Sequence, residues 1–257
     1  MTKFEQTLRL AWILVAACSL TRTPTFGQAR IPAPWRYQSV EGDYVLTLPP
    51  GWRQITNAEF GAQEKLFKDQ TGDPAPKYDA GFQLVRRKPF EYPYMFVQHG
   101  IRRPISYGEL KAQVNSQLLS ESAREASEKA APVTGPMRFT AIHLIEEKRI
   151  IVADFESNGD DESALKGMTA YCVGRQGVVS VNFYAIKTDY LSHVATFQKI
   201  LDSFQYLPGY EYEEVRSSRP APPAESNWDV RGIVSKAIAF AVLATIWRVL
   251  QRKSNAS

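Results

Sequence analysis

Three regimes of apolar and polar spacing divide this chain of 257 residues. Residues 10–20 form an apolar run that only Ser19 interrupts, and residues 232–250 form a second. Between them, short apolar stretches alternate with turn residues. Residues 43–48 predict a strand by their apolar and β-branched content, stopped by Pro49-Pro50-Gly51. Residues 52–55 resume as a short extended piece after a lead-in over 30–38. Residues 58–68 fit neither period, and 71–78 read as a loop. Residues 81–87 and 94–101 predict two further strands. Ser106 then stands where a helix cap is needed, with Glu109 in capping-box position. Leu110, Val114 and Leu118 recur every fourth residue and predict one apolar helix face. An alanine- and charge-rich tail over 120–131 ends at Pro132. Residues 139–145 with 149–155, and 167–173 with 178–186, predict two hairpins, the second turned at 174–177. Thr188 is placed to cap a last helix, whose stripe is Tyr190, Val194, Phe197, Leu201 and Phe204. Strands with one helix before and one after the late hairpins predict an α+β fold.

The two apolar ends act as addresses. Lys3 and Arg9 precede the first, and Gly27-Gln28-Ala29 follows it, the pattern of a signal peptide cleaved after Ala29. Val15-Ala16-Ala17-Cys18 also reads as a lipoprotein box, and an uncleaved anchor is a third reading. The second run has 19 residues, about 28 Å as a helix, close to the roughly 30 Å of a bilayer's hydrocarbon core. Lys236 and Arg248 lie near its ends, where long side chains snorkel. Arg248, Arg252 and Lys253 set the C-terminal side in the cytoplasm and the rest of the chain outside it. The rival reading is a helix lying in the interface, with Arg231, Ser235, Thr245, Arg248 and Arg252 on one sector. The expected organisation is therefore a signal peptide at 1–29, a globular domain at 30–207 and a Pro/Ser/Glu-rich linker at 208–229. A transmembrane helix at 230–251 and a basic tail at 252–257 complete it.

Charge follows the same division. Residues 1–29 carry net +2, residues 228–257 net +4, and the long middle net −2. The basicity belongs to the membrane flanks, which removes nucleic acid as an expected partner. Of two cysteines, Cys18 would leave with the signal peptide. Cys172 then stands alone within an apolar strand, where an inert buried thiol is expected.

The run Tyr44-Val45-Leu46-Thr47-Leu48-Pro49-Pro50-Gly51-Trp52 resembles the opening of the PsbP-type domains, including bacterial extracytoplasmic forms related to the DcrB group. Residues 177–184, then 188–204 ending Ile200-Leu201-Asp202-Ser203-Phe204, are similar to that family's closing strand and helix. The resemblance covers residues 40–206. It implies an α/β/α sandwich with an antiparallel sheet. It also implies a non-enzymatic role, since the photosystem members are lumenal assembly and stabilising subunits and the yeast member partners a small GTPase. No metal ligand or partner contact of those proteins can be matched to a position in this sequence.

Chemistry-bearing patterns are few. Asp154, Glu156, Asn158 and Asp160 follow the spacing that opens an EF-hand calcium loop, but Leu165 stands where a bidentate Glu belongs. A solvated acidic turn is the competing reading. His99, His143 and His193 show no metal spacing with each other or with Cys172. No nucleophile elbow, zincin motif or P-loop occurs. Phe90, Tyr92 and Tyr94 belong to an aromatic cluster that would make a partner surface if exposed, or core if not. Arg86-Arg87-Lys88 and Arg102-Arg103 fall at opposite ends of a predicted strand and do not form one anion patch. The expected protein is a membrane-anchored, extracytoplasmic accessory domain with a protein partner, no cofactor and no enzymatic activity. The alternatives are a small-ligand or cation-binding protein and, after it, a hydrolase whose site assembles in space.

Overall fold

The computed structural model describes residues 33–71, 75, 77–118, 137–157 and 164–214. The signal peptide, Cys18, the helix tail at 120–131, Asn158, Asp160, most of the linker and the apolar segment at 232–250 lie outside the described residues. All the elements below belong to the compact unit that begins at Pro34. Among the described residues no helix is long and apolar enough to cross a membrane.

The described residues form ten strands and three α-helices, in chain order β1 Trp35–Gln38, β2 Tyr44–Leu48, β3 Trp52–Gln54, α1 Asn57–Thr71, β4 Ala80–Leu84, β5 Tyr94–Ile101, α2 Tyr107–Leu118, β6 Met137–Ile145, β7 Ile150–Ser157, β8 Leu165–Gly174, β9 Gly177–Ile186, α3 Tyr190–Asp202 and β10 Gln205–Tyr206. Seven strands form an antiparallel sheet in the order β3-β4-β5-β9-β8-β7-β6, and a second sheet has the order β1-β2-β10. This is the α+β class that the pattern predicts.

Period-two alternation divides the core. In β5, Tyr94 and Phe96 face one cluster, while Met95 and Val97 face the other. In β7, Ile151, Ala153 and Phe155 oppose Ile150 and Val152 in the same way. β9 is buried along its whole length because both faces of the sheet are covered, which is why its sequence reads as a near-continuous apolar run. One face receives α3, whose Phe197 ring lies 4.8 Å from that of Phe183, together with Tyr44, Leu46 and Leu48 of the small sheet. The other receives Leu110 and Val114 of α2, and Phe60 of α1 packs against Phe96 at 5.8 Å.

Several local expectations change. The lead-in is a strand: Trp35, Arg36, Tyr37 and Gln38 pair with β2, and Tyr37 enters the core. The helix predicted after Thr188 begins one residue later, with Asp189 at its cap position and no side-chain cap bond. The domain also runs past residue 207. The Arg175 N–H donates to the Tyr210 carbonyl (3.0 Å), and the Tyr107 N–H donates to the Tyr212 hydroxyl (3.1 Å). Residues 208–214 are thereby held against the domain instead of starting the linker.

The indecisive segment at 58–68 is helix α1, and a capping box starts it. Glu59 N–H donates to Thr56 Oγ1 (3.2 Å), and Thr56 N–H donates to Glu59 Oε2 (2.7 Å). Arg53 grips the same carboxylate at 2.7 and 2.9 Å. The Arg53 hydrogen bonds, then the Thr56 bonds, overcome burial and hold the Glu59 carboxyl down at about 2. A depressed carboxyl stabilises the fold above its unfolded value of roughly 4.5, and that contribution is lost as pH falls through about 2. Glu59→Gln is therefore expected to cost about 1–2 kcal/mol at pH 7, allowing for solvent screening, and much less at pH 2. Urea unfolding midpoints at the two pH values check this; equal losses at both would disprove the linkage.

Candidate functional site

One cluster of charged side chains draws its members from four separate places in the chain. The turn between β1 and β2 carries Ser39, Glu41 and Asp43. Asp79 precedes β4, His99 lies in β5, and Arg102 follows it. Pairing of β5 with β9 slips between His99 and Ile101. A bulge of this kind re-aims neighbouring side chains.

His99 is held on both ring nitrogens. Its Nδ1 lies 2.7 Å from Asp79 Oδ2 and its Nε2 lies 2.7 Å from Asp43 Oδ2. The backbone N–H of His99 also donates to Asp79 Oδ2, at 2.6 Å. Glu41 Oε2 stands 3.7 Å from Nε2. Burial works against charge on this ring, but the hydrogen bonds and negative charge of Asp79 and Asp43 outweigh it and push the imidazole up to about 9. Burial of Asp43 is likewise outweighed by the bonds from His99 and Ser39, which hold its carboxyl below the ordinary range. Ser39 Oγ donates to Asp43 Oδ1 at 2.5 Å. Arg102 covers the outer edge, with Nη1 at 2.6 and 2.8 Å from the Glu41 oxygens and Nη2 at 3.9 Å from Asp79.

Glu41, Asp43, His99 and Arg102 form one wall of a groove of about 360 Å³. Arg103, Arg175, Gln176, Tyr206 and Tyr210 line the rest. A second groove of about 570 Å³ runs between Lys148, Arg149 and the segment carrying Tyr206, Glu211 and Tyr212.

The residues singled out in the sequence are placed differently. Asp154 and Glu156 lie within β7, paired to β6 and β8, not in a loop. The Asp154 carboxylate meets His143 Nε2 at 2.9 Å, and the Glu156 carboxylate meets Arg138 and Lys187. Extended backbone separates the two side chains along one strand, so they do not wrap a cation as a calcium loop does. Asn158 and Asp160 fall outside the described residues. Phe90, Tyr92 and Tyr94 are buried, at 3%, 7% and 0% exposure. They stack into the core facing α1 and α2, with the Tyr92 and Tyr94 rings 4.7 Å apart. The aromatic cluster is core and does not present the partner surface. Cys172 is buried and free, and burial raises its thiol well above the ordinary range.

The His99 cluster was not legible as a unit. Positions 39–43, 79 and 99 share no motif spacing, and only the meeting of β2 with the end of β5 assembles them. The legible trace was Glu41-Gly42-Asp43, two carboxylates on a tight turn.

Compared with known proteins, the sequence matches no family model and no curated protein. Among solved structures, the chain is similar to the solution structure of cyanobacterial PsbP (CyanoP) from Synechocystis sp. PCC 6803, at 11% identity and a TM-score of 0.46, over 70% of this chain and 96% of that one. It is also similar to LpqN, involved in cell envelope biogenesis of Mycobacterium tuberculosis, at 10% identity and a TM-score of 0.38, over 69% of this chain and 93% of that one. Likeness at this level concerns fold alone.

Proposed function

We propose that this chain is a membrane-anchored accessory protein whose α+β domain binds a protein partner outside the cytoplasm and performs no reaction of its own. The observation that supports binding over catalysis is the wiring of the His99 cluster beside the groove. Ser39, His99 and Asp79 are the residue types of a hydrolase relay, but they are connected in an order that disables one. Ser39 donates to Asp43, and His99 carries a carboxylate on each nitrogen. A general base needs a free ring nitrogen beside the nucleophile. His99 has neither a free nitrogen nor a hydroxyl on one.

The location rests on the sequence. The run at 232–250 has the length and the basic cytoplasmic flank of a single span, and the run at 10–20 has the form of an export signal. Residues 215–229, rich in Pro, Ser and Glu, would tether the domain beyond Glu214.

Fractionation of cells expressing the full chain tests the topology. The protein is expected in the membrane fraction, resistant to alkaline carbonate and released by detergent. A version ending at Asn227 is expected in the soluble extracytoplasmic fraction. Recovery of the full chain from the cytoplasm without detergent would refute the reading. For the catalytic half, ester, peptide and glycoside substrates are expected to remain intact. Turnover abolished by Ser39→Ala would overturn it.

A further inference from the structure

We infer that Glu41, Asp43 and His99 form a site for a divalent transition-metal ion, oriented from behind by Asp79. The inference is independent of the proposed tether and partner.

One ligand atom from each of the three residues lies within 4.8 Å of the others. Two of them come from one turn, where Glu41 and Asp43 stand two residues apart and project toward the same ring of β5. A second feature lies outside this trio. Asp79 Oδ2 receives both the His99 backbone N–H (2.6 Å) and its Nδ1 (2.7 Å). A carboxylate on Nδ1 fixes the tautomer whose Nε2 lone pair points away from it, the arrangement that supports metal-bound histidines. Here Nε2 points at the two other carboxylates. The groove of about 360 Å³ in front of them supplies an entry path and room for water ligands.

The spacings suit a small ion. Oxygen and nitrogen ligands at about 2.0–2.2 Å from a tetrahedral ion stand roughly 3.3 Å from one another. The 3.7 Å between His99 Nε2 and Glu41 Oε2 already has that size. The 2.7 Å between Nε2 and Asp43 Oδ2 must open by about half an ångström, as the ion replaces the shared proton. Arg102, whose side chain is 57% exposed, would release Glu41 and remain near Asp79. One imidazole with two carboxylates favours zinc-like ions over calcium or magnesium, which take oxygen alone.

The test is calorimetric titration of zinc chloride into the untagged full chain in detergent, stripped of metal beforehand. One equivalent is expected to bind. Glu41→Gln should weaken binding at least tenfold, His99→Gln at least a hundredfold, and Asp79→Asn by 10–100-fold. Glu41 is 47% exposed on its side chain, so its variant folds even if the buried ones do not. No heat at millimolar zinc would overturn the inference. So would undiminished binding by Glu41→Gln together with any folded His99 or Asp79 variant, because the ion would then sit elsewhere.

Discussion

His99→Leu is expected to destabilise the metal-free domain by about 3 kcal/mol at neutral pH. The cause is not the lost imidazole alone. Leucine removes a positive charge that touches both Asp43 and Asp79, whose side chains are 10% and 26% exposed. Two carboxylates with little access to water would then face an apolar group, and removing one partner of a buried ionic set costs more than the set itself contributes. The loss also separates layers. Asp43 stands at the head of β2 in the small sheet and His99 sits in β5 of the large one, so the imidazole ties one sheet to the other. Urea unfolding with chelator present measures the effect. The double variant His99→Leu/Asp43→Asn should recover part of the loss, because it withdraws one of the stranded charges. A loss under about 1 kcal/mol for His99→Leu would place the cluster among ordinary surface ion pairs and disprove its role in joining the sheets.

That cluster also shows where a sequence stops being readable. Short-range pattern carried the late hairpins and α3, because Tyr190, Phe197 and Leu201 bury one face of a regular helix and β7 and β9 are short, largely apolar runs. It carried α1 poorly, since that helix has a weak apolar face; its start was written in Thr56 and Glu59, a capping box without a clear stripe behind it. β1 hid behind Pro32 and Pro34, and its pairing with β2 is decided by the core position of Tyr37. The aromatic cluster at Phe90, Tyr92 and Tyr94 was ambiguous in a different way. Composition cannot tell a binding surface from a core, and here α1 and α2 cover it. His99 was the hardest case. Its partners are 20 and 56 residues distant in the chain, so neither period nor motif connects them, and the contact exists only once both sheets are formed.

Gly177→Ala is expected to be more damaging still, about 3–5 kcal/mol, and to lower the melting temperature by about 10 °C. Gly177 opens β9 at φ +145°, and a Cβ there would lie 1.8 Å from the Ile101 carbonyl oxygen and 2.7 Å from its carbon. Both obstacles are backbone, so no rotamer change relieves them. The turn or the end of β5 must move. That end of β5 is where the register slips past His99 and where Arg102 and Arg103 leave the strand, so the displacement would also reach the groove. Gly61 supplies the internal control. It lies in α1 with nothing within 4 Å of an added Cβ, so alanine there should add about 0.5–1 kcal/mol through lower chain entropy and better helix propensity. Thermal unfolding of the two variants against the parent should therefore move in opposite directions. If Gly177→Ala melts with the parent, the β8–β9 turn is not pinned against β5, and the groove wall at Ile101 is soft instead of fixed by close backbone contact.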